Sequence, residues 1–389
     1  LQDSEISEWL RHGGAYIPPA PNPGASLHHG TVRLLICERL YYDPLSFSMS
    51  RKSYLNVERA FNLSPATLPS FSIDSGIYSQ YKTYDRDDPE KVTRLSVVMK
   101  FPQKFQLANY GLSITHDIST ATTTALIHGT GALLRSADYN FWEESQSDGI
   151  LKLIQSSWVL WPHPMLLPTL LLNHHLSRME RFTFTVLSGK LTGIQDQLGV
   201  TRAGRLSGKT GAVQDIVGDK TINQVKLNMR DLTSDMSSLA TDIAWFSHTS
   251  QWQCDCAEFL DKVMTDWTNF VPHNLLGRSN EIQEWIGYAI SSAKTLNSHN
   301  NSLGDVMQSE LSVLYSLVAQ IDNRLNAKMS ASSNRDSTAM KTLAFITTLF
   351  LPGTFVAVST HCQISMTNFL FSGSCADCAL VDFIRYGNV

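Results

Sequence analysis

Residues Thr342 to Ser359 read TLAFITTLFLPGTFVAVS and open an interval without Lys, Arg, Asp or Glu that runs from Lys341 to Asp377. Those 18 uncharged residues stand at the lower edge of what crosses about 30 Å of hydrocarbon as a helix rising about 1.5 Å per residue. One membrane helix is therefore admissible, and a multi-span bundle is not. The competing reading is a buried core helix, and Pro352-Gly353 disturbs a helix in either setting. In lipid, Thr347, Thr348 and Thr354 can bond the carbonyls that a proline frees, and a Pro-Gly pair allows close helix approach.

Immediately upstream, no proline occurs between Pro272 and Pro352. Leu303, Met307, Leu311, Leu314, Val318, Ile321 and Leu325 step by 4, 4, 3, 4, 3 and 4, a helical stripe rather than a strand alternation. A helix continuous from about Val306 into the apolar segment would be roughly 70 Å long at about 1.5 Å per residue. Residues 273–341 are thus expected to form a stalk helix that runs into a membrane helix at 342–359. Lys328, Arg335 and Lys341 precede the apolar segment and only Arg385 follows it, which places the large N-terminal part in the cytosol by the positive-inside tendency.

Further upstream the texture is mixed. Residues 1–30, with Pro18, Pro19, Pro21 and Pro23 beside Gly13, Gly14 and Gly24 and no period, read as an irregular lead-in. Val32–Cys37, Leu95–Phe101, Gly111–His116 and Thr122–Ile127 read as strands, the last two joined by a turn at Asp117-Ile118-Ser119-Thr120. Residues 31–150 are accordingly expected to form an α/β domain. His163-Pro164-Met165-Leu166-Leu167-Pro168 starts an apolar helix running toward Leu198, with proline in its first turns, where the missing N–H costs little. After a Gly-rich break at 199–218, Leu232, Met236, Leu239, Ile243, Phe246, Phe259, Leu260, Val263 and Trp267 mark a second amphipathic stretch. Residues 151–272 are expected to form a long antiparallel helix pair, which makes the whole an α+β protein.

Composition narrows the function. The 389-residue chain has 17% charged and 43% hydrophobic residues and a mean hydropathy of −0.11, so it folds and looks soluble on average. With 31 basic against 35 acidic residues it has no electrostatic footprint for a phosphate backbone, and nucleic acid is excluded as an expected partner. Six cysteines are too few for a disulfide scaffold and fit a reducing compartment. The chain begins at Leu1 without a basic-then-apolar leader, so no signal peptide is visible.

Several motifs favour bland readings. Gly208-Lys209-Thr210 suggests a phosphate loop, but the pattern needs glycine at Ala203 and a preceding strand. A solvated connecting loop fits better, and an enzyme built on it ranks last among the functions considered. Cys254-x-Cys256 falls in a helix, where positions two apart point in different directions, so core thiols are expected. Cys375-Ala376-Asp377-Cys378 has the spacing of zinc knuckles and redox sites, but only His361 and Cys362 are near it in sequence. His163, His174 and His175 are expected to be satisfied or exposed rather than ligating. No Ser/His/Asp set or nucleophile elbow is recognisable.

One stretch carries more. Asp336-Ser-Thr-Ala-Met340-Lys-Thr-Leu343-Ala-Phe-Ile-Thr-Thr-Leu-Phe350-Leu-Pro-Gly-Thr354-Phe-Val-Ala357 resembles the stalk-to-membrane junction of CorA-like divalent-cation transporters, above all their divergent fungal group. Leu314-Tyr315, Asp322-Asn323, Asn326 and the His163–Pro168 helix start also look like that group, so the similarity covers about residues 95–357. The resemblance implies a homo-oligomeric, pentameric funnel in a lipid bilayer, whose stalk helix continues as the pore-lining first membrane helix. Met340 and Leu343 would form an apolar constriction that gates by dewetting, Thr354 would face the ion, and Asp336 would lie at the cytosolic mouth. The ion would be Mg²⁺ or another divalent cation, moved as cargo without a cofactor or chemical catalysis, and held hydrated by oxygen-bearing groups.

The sequence then departs from the family. In gapless register, the family's Gly-Met-Asn filter falls on His361-Cys362-Gln363, and no second apolar span of adequate length follows; Phe369–Phe371 and Ala379–Ile384 are too short. Residues 360–389 are expected to be an atypical tail. Val358-Ser359, Thr367-Asn368 and Phe371-Ser372 can be encoded as a splice donor, branch point and acceptor, so a retained short intron would account for it. Two functions follow: a cation channel incomplete as written, or a non-transporting homologue acting as an interaction module.

Overall fold

The computed structural model describes residues 3–17, 30–40, 46–102, 107, 109–130, 132–133, 146–198, 229–271 and 275–371. The chain divides into two units, Leu1–Val313 and Leu314–Val389. The first holds a sheet of six strands, β1 (Thr31–Leu40), β2 (Ser46–Phe47), β3 (Ile77–Tyr84), β4 (Val92–Lys100), β5 (Asn109–Asp117) and β6 (Thr122–Thr130), in the order β2-β1-β6-β5-β4-β3. Only the β1–β6 pair is parallel.

The four expected strands are all present, and so is the expected turn between β5 and β6. The Asp117 side chain builds that turn by accepting from the backbone N–H groups of Ser119 and Thr120 at 3.1 Å each, the local bond that makes Asp a turn residue. β2 and β3 were not among the expected strands. β3 is an edge strand of mixed polar and aromatic residues, partly exposed throughout, and such a strand lacks the continuous apolar run of a central one. Residues 3–10, expected as part of the irregular lead-in, form the helix α1 (Asp3–Leu10). Eight residues are too few for a periodic signal; Ile6 anchors the helix, with Trp9 and Leu10 packed beside it.

Register divides the sheet into two different faces. On one, Met99, Leu112 and Ile127 align across β4, β5 and β6, as do Val97, Ile114 and Ala125, all fully or nearly fully buried. The helical layer covers this face. On the other lie Lys100, Gly111 and His128 in one row and Val98, Ser113 and Leu126 in the next. That face packs on α2 (Arg51–Phe61) and the short turn α3 (Thr67–Ser70), with Val57, Phe61 and Phe71 against Leu126. Several of its polar groups are bonded: Thr67 and Ser113 hydroxyls meet at 2.6 Å, and Lys100 Nζ donates to the Phe101 carbonyl at 2.8 Å. Burial, with Arg39 nearby, lowers the Lys100 amine to about 7.

The helical layer comprises α4 (Gln146–Ser156), α5 (Leu166–Phe182), α6 (Ser188–Leu198), α7 (Met229–Trp267) and α8 (Leu276–Phe371). A π-helical turn at Thr183–Leu187 joins α5 to α6. The helix expected from His163 therefore begins three residues later and carries one wide turn. α7 runs antiparallel to α5–α6, since Gln253 reaches His175 at 2.6 Å, Phe246 stacks on Phe182 and Asp242 pairs with Lys190. The loop expected at 199–218 lies outside the described residues. The first part of α8 returns along α7 through a seam with heptad spacing, Ile282, Ile286, Ala289, Ala293, Leu296, Asn300, Leu303 and Met307, every one buried.

In the second unit α8 continues from Leu314 to Phe371, and the described side chains from Tyr315 onward are largely exposed. No helix break separates the stalk expected at 273–341 from the segment at 342–359.

Five histidines lie in the first unit's interior with lowered basicity. Burial takes His163 down to about 3, aided by His116, and takes His174 down to about 4, aided by Arg178. Burial takes His116 to about 4 against an opposing pull from Asp117, and holds His128 and His175 well below their ordinary value. In the unfolded chain each titrates near 6.5. Between about pH 6.5 and 4 the unfolded state therefore binds protons that the native state refuses, and stability falls as pH falls. Thermal melts are expected to show a midpoint that falls progressively as the pH is lowered from 6.5 to 4. A midpoint unchanged across that window would contradict the neutral interior.

Candidate functional site

The residues that the resemblance singles out lie on the exposed part of α8. Asp336, Met340, Leu343, Thr347, Phe350 and Thr354 succeed one another by four and three residues, which puts them on one helix face. Met340 is 72% and Leu343 63% exposed, so neither packs against the rest of its own chain. Asp336 is exposed as well. The backbone at Thr354, Cys362 and Gln363 is helical, but their side chains lie outside the described residues. His361 is exposed.

Exposure is not confined to that face. Phe345, Ile346, Leu349, Phe355, Val356 and Val358 are each at least 44% exposed and surround the helix on its remaining sides. A helix apolar all round belongs in a core or in a membrane, and none of this window is buried within the chain. Among the described residues, one helix is long and apolar enough to cross a membrane. Its polar groups suit such a setting. Thr347 donates to the Leu343 carbonyl at 2.9 Å, Thr348 to Ala344 at 2.7 Å and Thr360 to Val356 at 2.8 Å. Each hydroxyl proton is thereby satisfied inside the helix. The helix also runs through Pro352, whose missing N–H deprives the Thr348 carbonyl of its usual i+4 partner.

Other residues singled out by the sequence resolve into structural roles. Cys254 and Cys256 are buried on α7. Burial and the neighbouring Asp255 raise the Cys254 thiol to about 11, and the same two causes push Cys256 well above the ordinary thiol range. A thiol so held stays protonated and is a poor nucleophile or metal ligand. His163 accepts the Met165 N–H on Nδ1 at 3.1 Å and stands 3.1 Å from the Ser279 hydroxyl through Nε2. It clamps the start of α5 to α8. His175 lies between Gln253 and the Phe101 ring, 4.6 Å from the latter's centre. Gly208–Thr210 and Cys375–Cys378 lie outside the described residues.

Sequence reasoning missed two features of this unit. Arg39 is fully buried and donates to the Phe71 carbonyl, in the same interior as Lys100 and His128. At the end of a strand, such a residue reads like any solvent-facing cation. The seam from Ile282 to Met307 was legible in principle, because its steps alternate between four and three, but Asn300 interrupts its apolar character.

The molecule is thus an α+β protein carrying one helix that is long and apolar enough to span a membrane. No protein-family model matches the chain, and no curated protein matches it.

The exposed apolar girdle has a direct consequence in water. The chain purified without detergent is expected to elute from a sizing column as large aggregates, whereas the same chain ending at Lys341 is expected to elute as a discrete species. Equal behaviour of the two would show that residues 342–371 are covered by something within the chain.

Proposed function

We propose that this chain is a CorA-like membrane protein of the divalent-cation transporter class, with α8 as its first membrane helix and the N-terminal unit in the cytosol. The observation that carries the reading is the character of α8 in the second unit. Val318, Ile321, Leu325 and Met329 form an exposed stripe at helical spacing, and a charge-free girdle with no cover in its own chain follows from Thr342. An amphipathic stripe left open on one chain is suited to copies of itself, and a girdle apolar on every side is suited to lipid.

In a ring of five such helices, Met340 and Leu343 would narrow an axial path with thioether and aliphatic groups, a constriction that closes by expelling water. Asp336, one helical turn before Met340, would gather cations at the cytosolic mouth. Thr354 would offer an oxygen to a hydrated Mg²⁺ or similar ion, which keeps most of its water shell. Gly353 meets nothing within 4 Å in the single chain, so it leaves room for a neighbouring helix to approach.

A second reading has its own support. The helix continues through His361, Cys362 and Gln363 to Phe371, where the family's filter loop would have to turn away. A non-transporting homologue, anchored by one helix and serving as an interaction module, fits that continuity.

Alkaline carbonate extraction of membranes expressing the chain is expected to leave it in the pellet, and Leu349→Arg is expected to release it, because a cation at a helix centre costs about 2.5–3.5 kcal/mol on insertion scales. Recovery of the unaltered chain in the supernatant would sink the membrane assignment. Divalent-cation uptake in transporter-deficient cells separates the two readings. Conduction by the chain as written, reduced by Leu343→Asp and unaffected by Tyr315→Phe, supports the channel; no uptake while the chain remains in the membrane supports the anchored module.

A further inference from the structure

Where α2 ends at Phe61, the sheet face beneath it turns polar. Register places Thr31, Thr122, Asp117 and Arg94 in one row across β1, β6, β5 and β4, and Arg33, Thr124 and Thr115 in the next row on the same face. A cavity of about 450 Å³ stands over these rows, with Phe61 and Asn62 in its wall. Its size is within the range of sites that take small organic ligands.

The two guanidinium groups of the cavity come from opposite ends, since β1 and β4 are three strand spacings apart, about 14 Å. That of Arg33 is held by aromatic rings, its central carbon 4.8 Å from the Trp9 ring centre and 5.9 Å from that of Phe61. Its Nη2 donates to the Trp9 and Leu10 carbonyls at 3.0 and 3.4 Å. Among the described residues no carboxylate pairs with Arg33, and its Nε and Nη1 have no partner. Burial lowers its basicity, yet a guanidinium stays charged. At the other end Arg94 Nε lies 3.6 Å from Asp117 Oδ2, while Asp117 Oδ1 takes the donors of its own turn. That pair is neutral, so the uncompensated charge sits at the Arg33 end. Two threonines between the ends have settled hydrogen-bond directions, because a carbonyl only accepts. Thr122 donates to the Thr120 carbonyl at 3.4 Å, and Thr124 to the Phe61 and Thr115 carbonyls at 3.0 and 3.2 Å. Their single protons are spent there, and their oxygens remain as acceptors.

We propose that this cavity binds a small polyol carrying one acid group, the acid meeting the Arg33 guanidinium and the hydroxyls donating to Thr122, Thr124 and Asp117 Oδ2. A guanidinium already fixed by two rings and two carbonyls loses little freedom on meeting a carboxylate or phosphate. An amine in its place would meet like charge, and a second acid at the far end would meet Asp117. A ligand without hydroxyls would displace water from the threonine oxygens and leave them unpaired. The site is independent of the transport reading, because all of its residues belong to the first unit.

The test uses the full chain in detergent micelles and isothermal titration with glucose 6-phosphate and gluconate, which join hydroxyls to a phosphate and to a carboxylate. Glucose keeps the hydroxyls without the acid, glucosamine carries the opposite charge, and inorganic phosphate has the acid alone. One saturable site per chain is expected for at least one of the two acidic polyols, and the tighter of them tells a phosphate ester from a sugar acid. Roughly tenfold weaker binding is expected for each of the three comparators. Arg33→Gln is expected to bring the better acid down to the level of glucose. Because Arg33 also anchors the end of α1, Thr122→Val serves as the second variant: valine keeps the branched shape and the strand preference, so the melting midpoint should stay while the acid binds roughly fivefold more weakly. The proposal is overturned if neither acidic polyol binds, if any comparator binds as tightly as the better of them, or if Thr122→Val binds that acid as tightly as the parent chain does.

Discussion

The helical half of the first unit depends on one seam. Ile282, Ile286, Ala289, Ala293, Leu296, Asn300, Leu303 and Met307 place a buried side chain at alternating steps of four and three along α8, and on α7 Phe246, Ile243 and Leu239 are nearly inaccessible. Burying apolar side chains of this kind stabilises at roughly 25 cal/mol per Å². The polar contacts along its margins, Asn297 with Gln251 and Ser250 at 2.9 Å each, act on alignment. Asn300 is fully buried within the seam and donates to the Phe246 carbonyl at 3.4 Å. A polar residue at a core position costs stability and penalises any shifted pairing that strands it. In this chain it ties the two helices to one axial alignment.

The sheet shows the same economy with polar groups. One face is almost entirely apolar, and the other places Lys100, Ser113, Thr115 and His128 under two short helical elements. A buried polar group without a partner costs about 1–3 kcal/mol, so this face holds only because hydroxyls and carbonyls are matched locally, as between Thr115 and the Asn62 carbonyl at 2.9 Å. The histidines are the complement of that arrangement. An imidazole that stays neutral can be buried like a polar aromatic ring, and Phe71 packs edge-on against His128 with 4.3 Å between centres.

What could be read in the sequence follows from which signals are local. The central strands announced themselves through short segments rich in Val, Leu, Ile, Met and Thr, and the Asp117 turn through a side chain that bonds its own backbone. The long helices did so through stripes that repeat many times. β3 was hidden because Tyr78 and Tyr81 alternate with Ser79, Gln80 and Lys82, an edge pattern that resembles a loop. The inward placement of Arg39 and Lys100 was hidden because the direction of a strand's last residues depends on register, which β6 and α3 set from a distance. In the second unit Asp336, Met340 and Leu343 were singled out by the resemblance of 336–357 to a stalk-to-membrane junction. Their exposure was not legible, since composition cannot distinguish a girdle facing outward from a core helix. The cavity beside Arg33 had no sequence signal at all: Arg33, Arg94 and Thr122 come together only through the register of four strands.

Pro352 brings these arguments to one point. A proline inside a soluble helix costs about 3 kcal/mol or more, through a lost bond and a ring clash, and in water such a residue ends helices. Here α8 passes through it. Four residues earlier Thr348 has turned its hydroxyl to the Ala344 carbonyl at 2.7 Å, and Thr347 shares itself between Leu343 and Ala344 at 2.9 Å each. These threonines do not replace the bond that Pro352 removes, because they donate to carbonyls a turn before the one it frees. They satisfy their own protons and leave the Thr348 carbonyl without its usual i+4 donor. In water that carbonyl would be solvated at once and would have no bearing on partners. Inside an apolar girdle it becomes the one polar group on the helix that a neighbouring helix, or a water-filled path beside it, has reason to meet. The position next to it is Gly353, where nothing in the chain's own fold obstructs that approach.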